Sequence, residues 1–189
     1  MTARYAAITG LSALLVVTSA WAHDHDEDRE EGDKSAAYAV VNFQDESENA
    51  VGKAMVREGP EGVLFRLELE GLPTGWKAIH IHEKGHCDDH EEGFTASGGH
   101  LDPDDREHGL LNPEGPEIGD LPNIWVSDAG RVMAEIYAPG VSLHGESTGL
   151  LSGDGTAVVI HEGPDDHTSQ PIGGAGARIA CGVVEGGSR

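Results

Sequence analysis

Gly62-Val63-Leu64-Phe65-Arg66-Leu67-Glu68-Leu69-Glu70 alternates apolar and charged side chains from Phe65 onward. A repeat of two is the period of a β-strand, so Phe65, Leu67 and Leu69 face a core while Arg66, Glu68 and Glu70 face water. Shorter runs of similar character lie on either side, at 36–43, 50–57, 76–83, 123–127, 131–137, 156–162 and 178–184. Gly, Pro, Asn and Asp separate them, and these residues form turns. No segment sustains a helical period. Many short strands punctuated by turns predict an all-β, antiparallel sandwich or barrel. Two long Gly- and Pro-rich stretches, 84–122 and 163–177, break the rhythm and hold His86, His90, His100, His108 and His167. Loops of that length inside a compact domain are usually functional.

The ends of the chain set its compartment. Residues 1–22 have the form of a secretory signal peptide: Arg4 in a short n-region, a mostly apolar run from Tyr5 to Ala20, and Ala20-Trp21-Ala22 as an A-x-A cleavage site. A single-pass anchor is the rival reading, but Thr9, Gly10, Ser12, Thr18 and Ser19 interrupt the run, which is short for a bilayer span. Residues 23–35 are acidic, contain His23 and His25, and have almost no apolar content, so disorder is expected there. Residues 36–189 then form one domain. The formal charge is −22, and removing Arg4 with the leader takes it to −23. A chain this acidic should stay soluble and avoid nucleic acid and anionic membranes. Cys87 and Cys181 are the two cysteines, and in an exported chain a disulfide between them is the expectation, with free thiols or metal binding as alternatives. Periplasmic or secreted localisation follows from the leader.

Four segments carry the chemistry. In Ile79-His80-Ile81-His82-Glu83 both imidazoles point to one side of a strand, because side chains alternate. The others are Gly98-Gly99-His100-Leu101-Asp102-Pro103, Gly119-Asp120-Leu121-Pro122-Asn123, and Ile160-His161-Glu162 leading to Gly176-Ala177-Arg178-Ile179-Ala180-Cys181-Gly182. One His-x-His pair is a weak signal; joined to His100, His108 and His161 it is a strong one for metal binding.

Together these segments resemble the copper,zinc superoxide dismutase family, in particular its secreted bacterial branch, over residues 36–184. The resemblance implies a Greek-key β-sandwich or flattened barrel of about eight antiparallel strands with two long functional loops. It implies superoxide as substrate, with copper held by His80, His82, His100 and His161, a donor set that suits Cu(II). His100 would bridge to zinc, held also by His108 and Asp120. The family has a third histidine where this chain has Glu117. Glu117 either ligates zinc, which accepts carboxylate oxygen, or turns to solvent beside a weakened site, or is replaced by His86 or His90. Asp165 would bond one copper and one zinc histidine and fix their rings; as a bare residue pair, Asp165 and Asp166 also read as a turn after Pro164. Arg178 would attract the anion beside copper, a structural arginine being the plainer reading. The cysteine pair would tie the first metal loop to the last strand.

Two further readings stand beside this one. Cleavage after Ala22 would put a free amine, two backbone amides and the His25 ring around a square-planar Cu(II), with His23 as the new first residue; a solvated charged tail is the alternative. Glu117, the His-containing tail and the sparse positive charge also fit a copper carrier with little turnover. Monomer and homodimer are both compatible with this architecture.

Overall fold

The computed structural model describes residues 38–145 and 147–187. The leader, the acidic tail and the His23 and His25 site lie outside the described residues. Nine strands run in chain order: β1 Tyr38–Asp45, β2 Ala50–Glu58, β3 Gly62–Leu69, β4 Gly75–Lys77, β5 Ile79–His82, β6 Ile124–Val126, β7 Val132–Pro139, β8 Ala157–His161 and β9 Arg178–Gly186. The rest of the described chain is turn and loop, with single 3-10 turns at His90–Glu92 and Thr95–Ser97. No helix among the described residues is long and apolar enough to cross a membrane.

The main sheet has the order β5-β8-β9-β1-β2-β3-β7, and every pairing in it is antiparallel. β9 beside β1 and β7 beside β3 are neighbours distant in sequence, as in Greek-key connections. β4 and β6 form a second, two-stranded sheet. The expected single strand over 76–83 is therefore two strands. The break falls at Ala78, whose N–H donates to Gly163 O at 2.8 Å and whose carbonyl accepts from His161 N at 2.9 Å. Residues before it pair with β6, and residues after it pair with β8.

The alternation read in β3 is the alternation of the core. Val63, Phe65, Leu67 and Leu69 are buried with Ala39, Val41 and Phe43 of β1, Ala54 and Val56 of β2, and Ile79 and Ile81 of β5. On the outer face Arg66 donates through Nε and Nη2 to Glu135 Oε1, at 2.9 and 2.6 Å. Both side chains are about half exposed or more, so solvent screens the pair. Glu135→Ala is expected to change the unfolding free energy by less than about 1 kcal/mol; a urea transition shifted by more would mean the pair is coupled to the core.

Strand parity places the functional face. Ile79 and Ile81 enter the core, so His80 and His82 project from the opposite side of β5. Across the ladder His80 faces Val159 and His82 faces Ala157. His161 follows the same parity as Ala157 and Val159 on β8. A second apolar cluster of Phe94, Ala157, Val159 and Cys181, with Cys87 against it, covers this face. The Cys87–Cys181 disulfide is formed, with Cα atoms 5.7 Å apart and a sequence separation of 94. It ties the loop that carries Phe94 to β9.

Candidate metal centre

The free edge of β5 is closed by loop backbone rather than by a strand. Ile81 N–H donates to Gly119 O at 2.9 Å, Leu101 N–H donates to Ile81 O at 2.8 Å, and Glu83 N–H donates to Gly99 O at 3.0 Å. These bonds make antiparallel bridges His82↔His100 and His80↔Asp120. The 84–122 loop thus sets His100 beside His82 and Asp120 beside His80. Gly119 is required at this seam, because a Cβ there would collide with the Ile81 carbonyl and the Leu101 backbone.

His80, His82, His100 and His161 are buried, and one nitrogen from each comes within 4.8 Å of the others. The second nitrogen of each ring is engaged. His80 Nε2 meets Asp165 Oδ2 at 2.9 Å, His82 Nδ1 meets Gly98 O at 3.0 Å, His100 Nδ1 meets Glu117 Oε2 at 2.5 Å, and His161 Nδ1 meets Gly176 O at 3.2 Å. The inward atoms, His80 Nδ1, His82 Nε2, His100 Nε2 and His161 Nε2, are buried and have no hydrogen-bond partner. Leaving four buried imidazole nitrogens unpaired is costly, and a copper ion is the group that four converging imidazole nitrogens fit.

A second cluster shares His100. His108 Nδ1 lies 2.7 Å from Asp120 Oδ1 and 3.2 Å from Glu117 Oε2, and His100 Nδ1 lies 3.3 Å from Asp120 Oδ1. Two nitrogens and two carboxylate oxygens so arranged suit tetrahedral zinc. Glu117 turns inward to this cluster, whereas His90 bonds the Asp45 carbonyl at 3.2 Å through Nδ1 and rests against Phe94. Neither His86 nor His90 joins a cluster among the described residues.

Asp165 links the two groups. Its Oδ2 takes His80 Nε2, and its Oδ1 takes His108 Nε2 at 3.1 Å. Asn123 holds it from behind: its Nδ2 donates to Asp165 O at 2.8 Å, and its Oδ1 accepts from Asp165 N at 2.9 Å. Gly173 passes so close that any Cβ would strike the Asp165 carboxylate. Asn123 was visible in the sequence only as the end of a turn; its role as a clamp depends on a partner 42 positions away.

Electrostatics divides the rings: burial opposes charge on His100, which both clusters share, but hydrogen bonds to Asp120 and Glu117 outweigh it and raise its pKa. Burial, helped by neighbouring His80, lowers the His161 pKa to about 3, and burial also holds His82 well below its ordinary value. These rings are neutral at neutral pH and need lose no proton to bind a metal. Burial opposes charge on His108 too, but hydrogen bonds to Asp120, Asp165 and Glu117 outweigh it and raise its pKa to about 11. The metal-free His108 is an imidazolium. Its proton stabilises the metal-free fold fully below the unfolded value of about 6.5, and that contribution is lost as pH rises towards about 11. Zinc uptake at neutral pH is therefore expected to release at least one proton. Calorimetry in buffers of different ionisation enthalpy reads this directly, and an enthalpy independent of buffer would contradict it.

Arg178 reaches its place through an irregularity the sequence did not announce. Ile160 faces Ala180, but His161 faces Arg178, so the ladder slips by one residue at Ile179. This bulge re-aims Arg178 towards the histidines. Its Nη1 donates to Phe94 O at 2.6 Å and to Ser97 Oγ at 2.9 Å, and Nη2 donates to Gly98 O at 2.8 Å.

Residues 38–184 match the family model described as copper/zinc superoxide dismutase. Superoxide dismutase [Cu-Zn] of Caulobacter vibrioides is 48% identical over 153 residues, spanning 79% of this chain and 86% of that protein. A superoxide dismutase-like protein of Bacillus subtilis aligns with TM-score 0.72 at 37% identity, covering 76% of this chain and 96% of its own. The Cu/Zn superoxide dismutase of Brucella abortus aligns with TM-score 0.62 at 30% identity, covering 78% and 99%.

Proposed function

The chain belongs to the copper/zinc superoxide dismutase family, and from that premise we propose that His80, His82, His100 and His161 hold its copper while His100, His108, Glu117 and Asp120 hold its zinc. The protein is a superoxide dismutase, an oxidoreductase that uses copper and zinc and acts on superoxide. When bound, copper supplies a one-electron couple by which one superoxide is oxidised to dioxygen and a second, with two protons, is reduced to hydrogen peroxide. The observation that carries the site assignment is the convergence of four unpartnered imidazole nitrogens.

The residues divide the remaining work. Arg178 offers a permanently charged group to the anion beside the four nitrogens. It matters more here than in a neutral protein, because a net charge of −22 repels superoxide at long range. His100 Nε2 would hold a proton for the reduced substrate only when copper does not occupy it. Asp165 keeps His80 and His108 in fixed tautomers, and Asn123 keeps Asp165 in place. A copper carrier with little turnover is the reading these findings do not favour.

Close relatives from bacteria and a formed disulfide suggest an extracytoplasmic protein. The finer reading is export through residues 1–22 to the periplasm, with His23 and His25 then offering Cu(II) an amine-terminal site. Metal analysis with a dismutation assay, with and without added copper and zinc, tests the whole reading. One copper and one zinc per chain with rapid turnover is expected. Tight copper with negligible turnover would overturn it.

A further inference from the structure

Ser97 sits in the 3-10 turn before His100 and is fully buried, and its hydroxyl does more than accept from Arg178. Oγ donates to Phe94 O at 2.8 Å, accepts from Arg178 Nη1 at 2.9 Å, and lies 3.3 Å from His82 Nδ1. A serine hydroxyl has one proton. With that proton on the Phe94 carbonyl, Oγ can meet His82 only as the acceptor of an Nδ1–H. The Gly98 carbonyl joins the same two side chains, accepting from His82 Nδ1 at 3.0 Å and from Arg178 Nη2 at 2.8 Å. One hydroxyl and one carbonyl on successive residues therefore span from a metal-cluster histidine to the anion-attracting arginine.

We propose that Ser97 is a positioning residue for the dismutase site: its hydroxyl, with the Gly98 carbonyl, holds His82 as the Nδ1–H tautomer and fixes the Arg178 guanidinium at a set distance from it. The proposal rests on assigning His82 to copper and Arg178 to the anion. A two-point bridge differs from a single one in that it restrains rotation of the guanidinium plane as well as its position. A hydroxyl that served only the turn would need the Phe94 carbonyl alone. The bond to Arg178 and the approach to His82 exceed that need, and both cross 15 or more positions of sequence.

Ser97→Ala removes the hydroxyl and leaves the Gly98 carbonyl. Three readouts separate positioning from mere folding. Azide, a small anion, is titrated into the copper- and zinc-loaded protein and followed by Cu(II) absorption. Its affinity is expected to fall about fivefold in Ser97→Ala, the value of one net hydrogen bond. In an Arg178→Ala background the same change should have no further effect, because the bridge then has nothing to hold. In the metal-free protein the His82 Nδ1–H signal, assigned by 15N NMR, should exchange with solvent faster in Ser97→Ala, while the disulfide and zinc uptake stay intact. Unchanged azide affinity and unchanged exchange would overturn the bridge, as would a fivefold loss that persists without Arg178. Wild-type copper protein that gives no azide response would overturn the site assignment itself, and the proposal with it; a normal wild-type response with an unaltered variant overturns only the bridge.

Discussion

Serine at both Cys87 and Cys181 is expected to lower the unfolding free energy by about 4–5 kcal/mol, because the bridge closes a loop of 94 positions. In the chain-entropy account the loss comes from the unfolded state, which gains the freedom the crosslink denied it. The folded state should suffer as well, since Cys181 is 1% exposed and packs with Phe94, Ala157 and Val159. That small cluster anchors the loop whose carbonyls at Phe94 and Gly98 hold Arg178. Urea unfolding of the oxidised wild type against the double variant reads the first effect. A difference under about 1 kcal/mol would mean that packing alone fixes the loop. Azide affinity of the same variant reads the second, and should fall as the guanidinium loses its mount.

Glu117→His is expected to raise the copper reduction potential by about 80–90 mV and to make zinc retention steeper in acid. At a separation on the order of 7 Å, a unit negative charge would contribute about 2 kcal/mol at an effective dielectric of 20, in favour of Cu(II). The structure supplies the route: Glu117 Oε2 lies 2.5 Å from Nδ1 of His100, the ring whose Nε2 faces the other cluster. Burial would raise the Glu117 pKa, but hydrogen bonds from His100 and His108 outweigh it, and the carboxylate is held below its ordinary range. For zinc the sign follows from proton competition. An imidazole competes with protons below about 6.5 and a carboxylate only below about 4.3. Across that window the variant must displace one more proton, so its zinc affinity should fall to about a hundredth of the wild-type value by the acid end. Spectroelectrochemical titration and zinc competition against pH measure the two effects. A potential that does not move, or equal retention by the variant, would remove Glu117 from the zinc site.

The alternation at Phe65, Leu67 and Leu69 was enough to orient β3, and the same parity put His80 and His82 on one side of β5. Local pattern could go no further at Ala78, where β4 ends and β5 begins. Nothing in 76–83 marks a change of sheet, because the cause is hydrogen bonding to Gly163 and His161, far along the chain. The bulge at Ile179 is similar: Arg178 was legible as a charged residue three before Cys181, but its position opposite His161 comes from the ladder with β8.

The sequence by itself determined which atoms could bind metal, because side-chain chemistry and strand period are local properties. Histidines at 80, 82, 100, 108 and 161, carboxylates at 117, 120 and 165, and a single pair of cysteines are fixed by the order of residues alone. Tertiary structure decided which nitrogen of each ring is free. That choice depends on what the other nitrogen meets: Asp165 for His80, Gly98 for His82, Glu117 for His100 and Gly176 for His161. It also turned Glu117 inward and set Ser97 between His82 and Arg178. Each of these contacts joins residues 15 or more positions apart, so only the closed fold brings them within hydrogen-bond reach.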